Sequence, residues 1–542
     1  YNTTDMSRVR MFNEYLPPYK AAVDAGVETI MTSFNVIDYV PSTANSYLFT
    51  EVLRDLWGFE GFVVSDYTTV NELVEHGMGD IQEVSALSVK AGVDMDMVGE
   101  GFVNTLKKSY ENGTVSLEVI NTACRRILLA KEKLGLFDDP YRYCDEERAK
   151  VEILSESNRA YAREVASETH VLLKNEDQLL PLNKETKVAL VGPLADSRRN
   201  MLGTWSVSGD HSLAVTVREG FEELVGKENI IYAKGSNISD NEDFAKKVNV
   251  FGPEIVIDDR SPEVMIEEAV AAAQKADVIV AVMGEAADMS GECSSMSNID
   301  LQPSQKRLLK ALKETGKLIV MVLFNGRPMT LVWENENMDA ILDVWFGGTE
   351  GGRAVADVIY GDKNPSGKLT TSFPVAVGQI PVYHSMLNTG RPYNGEANSK
   401  FLSNYLDIPN GPLYPFGYGL SYTTFEYGNI QISNSTMTPM ETVIASINVK
   451  NTGKIKDKEV VQLYIRDRVG SISRPMKELK GFKKIELAPG ESKTVSFEIN
   501  RELLSFYNGD LKWGTEPGKF DIMIGTNSNE VSSATLELRY KE

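Results

Sequence analysis

Residues 53–67 read LRDLWGFEGFVVSDY, an amphipathic segment followed by an apolar run and then by Ser65 and Asp66. The run at 61–64 predicts a buried strand, and residues 47–56 have helical spacing. Strand patterns also occur at 28–34 and 93–97, and helical patterns at 11–25, 84–91 and 117–134. Alternating strands and amphipathic helices are typical of βαβ units with a parallel sheet.

The pattern divides the chain into domains. Residues 1–137 contain three βαβ units, too few to close a barrel of eight strands, and the polar stretch 138–160 is predicted as a linker. Residues 161–426 repeat the α/β pattern, with strands expected at 171–173, 188–191, 278–282, 318–323 and 340–345. Residues 427–542 change to short alternating strands separated by turn signals, which predicts a β-sandwich of immunoglobulin or fibronectin type III kind.

Composition excludes several classes of function. Of the 542 residues, 56 are Lys or Arg and 77 are Asp or Glu, so the net charge is 56 − 77 = −21 and nucleic acid is a poor partner. No apolar run has the length of a membrane span. The cysteines form no C-x-x-C pair and no H-E-x-x-H motif occurs, so we expect no metal site.

Asp66 is the first candidate for chemistry. It directly follows the strand at 61–64, and active sites of parallel α/β domains form at the carboxyl ends of strands. A carboxylate there acts as a nucleophile, a general base or a metal ligand. The alternative is a helix N-cap, because Asp is a preferred cap and a helical pattern starts near residue 68. Spacing alone favours the cap.

Glu292 is the second candidate. It lies in the segment 285–301, EAADMSGECSSMSNIDL, a loop rich in small residues that follows the apolar strand at 278–283. Such loops display functional side chains. The alternative is a solvated surface loop, and nothing local distinguishes Glu292 from Glu285 as a general acid.

The segment 388–405, NTGRPYNGEANSKFLSNY, suggests a recognition surface. It combines Arg391 and Phe401 with tyrosines and small polar residues, and aromatic rings stack on sugar faces while Arg and Asn donate to hydroxyls. The alternative is an ordered loop whose aromatic rings pack on their own domain.

Taken together, long strings of this sequence resemble glycoside hydrolase family 3, most closely its bacterial periplasmic β-glucosidase branch. The strings include FNEYLPPYK, LRDLWGFEGFVVSDY, VLLKNEDQLLPL, WFGGTEGGRAVADVIYGDKNPSGKLTTSFP and GPLYPFGYGLSYTTFEY. They run from the N-terminal to the C-terminal part of the chain in a fixed order. The resemblance implies the last part of a (β/α)8-like barrel at 1–137, an α/β sandwich domain at 161–426 and a fibronectin type III-like domain at 427–542.

The resemblance also implies roles for individual residues. Asp66, in the SDY motif, matches the catalytic nucleophile, and Glu292, in GE-x-SS, matches the general acid/base, with Glu285 as the fallback. Phe34 matches an aromatic residue beside the sugar, and Tyr67 one that borders the leaving group. Retaining hydrolysis needs the two carboxyl groups about 5–5.5 Å apart, so we expect the second domain to dock over the barrel.

The expected function is therefore a retaining, exo-acting β-glucosidase that needs no metal and no cofactor. A β-xylosidase of the same family is the alternative. A catalytically incompetent fragment or sugar-binding scaffold is the other, because the family's first barrel strands, which hold the sugar hydroxyls, are not in this chain. Met296 also stands where relatives commonly carry Arg.

Location and partners follow from the same resemblance. We expect no signal peptide within these residues, which start at Tyr1, and the resemblance implies a periplasmic or secreted protein. The resemblance implies that the substrate is a β-glucoside or an oligosaccharide. We expect Arg391 and Phe401 to shape the leaving-group side of the cleft, with a homodimer interface as one setting for that loop.

Overall fold

A computed structural model describes residues 2–206, 208–393, 395 and 400–540. The chain forms two compact units. The first comprises Tyr1–Val151 together with Phe506–Gly514, and the second comprises Glu152–Ser505 together with Thr515–Glu542.

The first unit contains a short parallel sheet among helices. Thr29–Met31 pairs in parallel with Phe62–Val64, and Val64 forms a single parallel bridge to Met95. The amides of Asp94 and Met95 both donate to the carbonyl of Val63, at 2.8 and 3.1 Å. This irregular pairing reduces the predicted strand at 93–97 to one bridge.

Helices are the commonest regular elements of the first unit. Those that precede residue 138 are Arg8–Arg10, Met11–Tyr15, Pro17–Asp24, Ser42–Ala44, Tyr47–Leu56, Thr69–Glu75, Ile81–Ala91, Gly101–Glu111 and Leu117–Lys133. Its remaining strands are Thr3–Thr4, Val36–Ile37, Val40–Pro41, Phe506–Tyr507 and Trp513–Gly514. Local sequence sets the helix ends: Ile81–Ala91 begins at a capping box of Asp80 and Glu83 and ends at Gly92, whose φ of 109° suits a residue without Cβ.

The second unit contains a six-stranded sheet. Its order is Val171–Asn175, Ala340–Asp343, Leu318–Phe324, Val278–Gly284, Val188–Val191 and Ile230–Ala233, all parallel except the first, which is antiparallel to its neighbour. The strand Val278–Gly284 is buried at every position, as expected for a central parallel strand with helices on both faces. Its longer helices are Glu156–Thr169, Val217–Val225, Glu242–Val248, Pro262–Gln274, Pro303–Lys313, Val332–Asn337 and Gly351–Ile359, and its short helical turns are Glu176–Gln178, His211–Leu213, Lys227–Asn229, Ala287–Met289 and Val377–Gln379.

The same unit contains a β-sandwich. One sheet consists of Phe425–Tyr427, Gln431–Ile432, Val443–Asn451 and Ser492–Ile499, and the other of Thr436–Met437, Val531–Leu538, Gly518–Gly525, Asp457–Asp467 and Glu478–Leu487. Every second residue of Val443–Asn451 is buried, so one face of that strand packs on the core between the sheets. A short helix, Arg501–Leu504, follows the strand Ser492–Ile499.

The predicted linker at 138–160 contains helical structure. Glu146–Glu152 is a helix, and Glu156–Thr169 begins within the same stretch. Each helix has exposed, charged residues, and a solvent-facing helix has the same composition as a linker. Composition alone therefore does not distinguish a solvent-facing helix from an irregular linker.

A buried carboxylate holds the strand that leads to Asp66. Asp94 accepts from Arg54 at 2.6 Å, from Arg126 at 2.8 Å and from the amide of Val63 at 2.8 Å. The side chains of Asp94 and Arg54 are 2% and 9% exposed. The three bonds compensate the cost of burying this charge and tie two helices to the strand.

We predict that Asp94→Ala lowers the free energy of unfolding of the first unit by about 3–5 kcal/mol, because Arg54 is left buried without its partner. The measurement is urea denaturation read by hydrogen-exchange mass spectrometry on peptides from residues 60–97. Glu28→Ala is the control, since its ion pair with Lys133 is half-exposed and should contribute less than about 1 kcal/mol. Equal losses in the two variants would contradict the prediction.

Candidate active site

Asp66 lies one residue beyond Ser65 at the carboxyl end of the strand Phe62–Val64. Its amide donates to the hydroxyl of Thr32 at 3.4 Å, and Thr32 itself follows the neighbouring strand. Thr32 is buried and shares a hydrogen bond of 2.9 Å with the hydroxyl of Thr43. These polar contacts fix the main chain at the point where it leaves the sheet, and Asp66 itself is half-buried.

The structure does not use Asp66 as the side-chain cap of the next helix. Thr69–Glu75 has Thr68 as its N-cap residue, with a φ of 58° and no side-chain capping bond. The Asp66 carboxylate instead accepts from the amide of Tyr67 at 2.7 Å, while its carbonyl accepts from the amide of Thr69 at 3.2 Å. The orientation of the Asp66 carboxylate is therefore set by a hydrogen bond from the main chain of the next residue.

The two predicted aromatic residues of the first unit lie in the same region of the sheet. Tyr67 is adjacent to Asp66 and is 59% exposed. Phe34 is half-buried and lies two residues beyond Thr32, whose hydroxyl contacts the Asp66 amide. The carboxyl ends of two neighbouring strands thus bring Phe34, Asp66 and Tyr67 to one edge.

The loop with Glu292 begins where the strand Val278–Gly284 ends. Glu292 is exposed, whereas Glu285 is only 2% exposed and pairs with Arg327 at 3.0 Å. The amide of Gly326 also donates to Glu285, at 3.3 Å. Burial raises the pKa of the Glu285 carboxyl, and the charge of Arg327 opposes that rise. The two glutamates that the sequence left equivalent therefore have different environments.

A neighbouring segment fixes this loop from another side. The hydroxyl of Thr204 donates to the carbonyl of Ala287 and, at 2.8 Å, to that of Ser290. The side chain of Asn200 accepts from the amide of Ala287 at 2.8 Å and donates to the carbonyl of Glu254 at 2.9 Å. These contacts come from the stretch 200–204, to which the sequence analysis gave no role.

Sequence reasoning also missed Trp205. Its side chain is 72% exposed and it follows Thr204, which holds the Glu292 loop. An exposed indole offers a flat apolar face of the kind that stacks on sugar rings. The only available signal was a tryptophan within the string GTWSVSGD.

Arg391 and Phe401 contact each other in the second unit. The Arg391 guanidinium carbon lies 5.9 Å from the centroid of the Phe401 ring, and the Phe401 side chain is 72% exposed. The amide of Ser403 donates to the carbonyl of Arg391 at 2.8 Å, which joins the two arms of the loop. Part of the predicted recognition segment, at residues 394 and 396–399, lies outside the described residues.

The predicted site residues thus fall into groups. Phe34, Asp66 and Tyr67 belong to the first unit, and Glu292, Arg391 and Phe401 belong to the second. Within the parts of the chain that the structure describes, no group of three or more His, Cys, Asp and Glu side chains is arranged to hold a metal ion. The helices of those parts include none with the length and apolarity of a membrane span.

Comparison with known families identifies the fold and the family. The glycosyl hydrolase family 3 N-terminal domain matches residues 1–130, the glycosyl hydrolase family 3 C-terminal domain matches 170–422, and a fibronectin type III-like domain matches 459–528. A periplasmic beta-glucosidase of Salmonella typhimurium is 49% identical over 99% of this chain and 71% of its own length. This chain belongs to glycosyl hydrolase family 3.

Other relatives of this family 3 chain differ in their substrates. A beta-xylosidase of Formosa agariphila is 39% identical, over 99% of this chain and 73% of the relative. A crystal structure of a beta-glucosidase from Listeria innocua in complex with glucose has a TM-score of 0.92 and 40% identity, covering 100% of this chain and 72% of that one. The expected multidomain α/β fold with a C-terminal fibronectin type III-like sandwich is confirmed.

A titratable cluster in this family 3 chain lies beside the Glu292 loop. Glu254 is 4% exposed and pairs with Arg199 at 2.6 Å. Burial, and then the nearby charge of Asp288, raise the pKa of Glu254 to about 7. Burial also raises the pKa of Asp288, against the opposing charges of Arg199 and His211.

We predict that Glu254→Gln flattens the pH dependence of stability of the second unit. Because the native carboxyl has a pKa of about 7 and its unfolded reference is 4.5, the native state binds more protons between these values. The contribution of Glu254 to stability is therefore greatest below pH 4.5 and is lost as the pH rises through 7, by on the order of 3 kcal/mol.

The measurement is the free energy of unfolding of wild type and Glu254→Gln at pH 5, 6, 7 and 8. Relative to wild type, the variant should gain stability as the pH rises. Identical slopes for the two proteins would show that Glu254 titrates in the native state as it does in water.

Proposed function

We propose that this chain is a retaining, exo-acting β-glucosidase, with Asp66 as the nucleophile and Glu292 as the general acid/base. It would release terminal non-reducing β-D-glucosyl residues from β-glucosides and cello-oligosaccharides. The observation that carries the proposal is the 49% identity, over 99% of this chain, with a periplasmic beta-glucosidase. Asp66 supports it by its position at the carboxyl end of a parallel strand.

The proposed chemistry is a double displacement. Asp66 attacks the anomeric carbon while Glu292 donates a proton to the departing glycosidic oxygen, which gives a covalent glycosyl-enzyme intermediate. Glu292 then takes a proton from water, which attacks the same carbon and releases Asp66. Neither step needs a metal ion or a cofactor.

The contacts of the two candidate glutamates support Glu292 as the acid. Glu285 is 2% exposed and its oxygens are taken by Arg327 and the amide of Gly326, so a substrate oxygen has no approach to it. Glu292 is exposed on the loop between a strand end and the helix Pro303–Lys313, where a glycosidic oxygen has access.

We predict that a 2-fluoro-β-glucoside with an activated leaving group labels Asp66. The fluorine slows hydrolysis of the intermediate, so the adduct persists and appears in the intact mass, and peptide mapping locates it. Asp66→Asn should not be labelled. A wild-type chain that remains unlabelled would support the incompetent scaffold instead, and a label elsewhere would contradict the role of Asp66.

For the acid, we predict that Glu292→Ala loses about 10²–10⁴-fold in turnover of substrates with poor leaving groups. Azide should restore activity and give a glycosyl azide, because the small side chain leaves room for an external nucleophile. Glycosyl azide from Glu285→Ala instead of Glu292→Ala would contradict the assignment.

A β-xylosidase is the second candidate, supported by the 39% identity with the Formosa agariphila enzyme. The ratio of kcat/KM for an aryl β-glucoside to that for the matching aryl β-xyloside separates the two. A ratio above one supports the glucosidase, and a ratio below one supports the xylosidase.

Arg391 and Phe401 are proposed to contact the leaving-group sugar, with an exposed stacked pair as the basis. Replacing either by Ala should lower kcat/KM for cello-oligosaccharides by about 3–10-fold, the value of one lost stacking contact, and leave aryl glucosides unaffected. Arg142→Ala is the matched control, because Arg142 lies over Tyr143 in another exposed pair. Equal losses on both substrate classes would contradict the proposal.

A periplasmic or secreted location is proposed because the Salmonella typhimurium relative is a periplasmic beta-glucosidase, and cell fractionation measures it. A homodimer with the Arg391–Phe401 loop at its interface is proposed on the exposure of that loop. Light scattering of the wild type and of Phe401→Ala measures the mass of the particle.

A further inference from the structure

Arg327 forms a buried ion pair at the start of the Glu292 loop. Its Nε lies 3.0 Å from Glu285, and the two side chains are 19% and 2% exposed. The amide of Gly326 donates to the other oxygen of Glu285, at 3.3 Å. A carboxylate buried this deeply needs its cation, so Glu285 holds Arg327 in place beneath the loop.

The same guanidinium bonds to the main chain on both sides of Glu292. Its Nη2 donates to the carbonyl of Met289, three residues before Glu292, and at 2.8 Å to the carbonyl of Ser294, two residues after it. A guanidinium suits this task because it is planar, carries five donors and stays charged. One side chain therefore fixes both arms of the turn that presents Glu292.

Close backbone approaches limit the loop further. A Cβ at Gly326 would overlap the side chain of Ser290, so only glycine lets the strand end lie this near the loop. Gly291 has a φ of 105°, and a Cβ there would overlap Thr204, whose hydroxyl bonds to the carbonyls of Ala287 and Ser290. The turn is thus held between Arg327 on one side and Thr204 on the other.

We propose that Arg327, held by Glu285, is the positioning residue for the general acid/base. It does not contact the reacting atoms and acts by setting the main chain that displays Glu292. The inference rests on the proposed function, in which Glu292 donates the proton.

The proposal has a specific kinetic consequence. A displacement of about 1 Å can cost on the order of 10²-fold in rate. Misplacing Glu292 slows the step that needs a proton donor, which is loss of a poor leaving group. An activated leaving group departs without protonation, so displacement of Glu292 should have little effect on the rate of this step. A defect that only destabilises the fold would slow both substrates alike.

The kinetic test compares methyl β-glucoside with 2,4-dinitrophenyl β-glucoside. Arg327→Ala and Glu285→Gln should lose about 10²-fold in kcat/KM on the methyl glucoside and less than about threefold on the dinitrophenyl glucoside. Arg327→Lys should fall between, since an ammonium keeps the charge without the planar fork. None should form glycosyl azide, because each variant retains the Glu292 carboxylate, which repels the azide anion. Equal losses on both substrates would overturn the proposal.

Arg163→Ala is the matched control. Arg163 also pairs with a buried carboxylate of the second unit, Asp357, at 2.5 and 2.6 Å, and among the described residues its bonds do not include one to the Glu292 loop. Arg163→Ala should lower the free energy of unfolding and reduce kcat/KM for the two glucosides by the same factor. If Arg163→Ala instead loses more activity on the methyl glucoside than on the dinitrophenyl glucoside, Arg327 has no specific role in positioning Glu292 and the proposal is overturned.

A spectroscopic test does not depend on activity. Cys293 is exposed next to Glu292, and Cys124→Ser and Cys144→Ser leave it as the single thiol for a nitroxide label. Arg327→Ala and Glu285→Gln should increase the mobility of the label, and Arg163→Ala should not. Unchanged mobility in the first two would overturn the proposal. If Glu292→Ala itself shows no leaving-group dependence, the proposed function fails while this readout still decides the role of Arg327.

Discussion

Main chain that leaves a parallel strand loses the hydrogen bonds of the sheet, and both proposed catalytic carboxylates lie on segments of this kind. The chain compensates with side-chain bonds at those points. Thr32 accepts from the amide of Asp66 at the end of one strand, and Arg327 donates to carbonyls on either side of Glu292 after another. Without such bonds the buried groups would cost free energy and the carboxylates would lack fixed positions.

Carboxylates have two different environments in this acidic protein. Asp94 and Glu285 are fully paired with arginine, so they serve as anchors for the main chain around them. Asp66 is half-buried and Glu292 is exposed, so both side chains are accessible from solvent. A proton donor and a nucleophile must contact the substrate, and full burial in an ion pair excludes that. Burial thus distinguishes the structural carboxylates from the proposed catalytic ones, although all four residues are Asp or Glu.

The contrast between Glu285 and Glu292 also bears on how the family resemblance is used. Motif matching placed the acid at Glu292 but left Glu285 as a fallback, since both belong to one loop of small residues. The ion pair of Glu285 with Arg327 gives a physical reason to prefer Glu292. Arg327, which makes this distinction, lies outside the loop in sequence, so no pattern within the loop indicates it.

The sequence by itself determined the family, the multidomain α/β architecture with its β-sandwich, and the strand that precedes Asp66, because these follow from local hydrophobic periodicity and long motif strings. Only the tertiary structure decided which glutamate is buried. In the folded chain, the strand predicted at 93–97 pairs through a single bridge only. The Asp66 carboxylate accepts from the amide of Tyr67 and does not cap the next helix, although its spacing favoured that cap. Each of these depends on partners brought together by folding, and spacing along the chain carries no information about them.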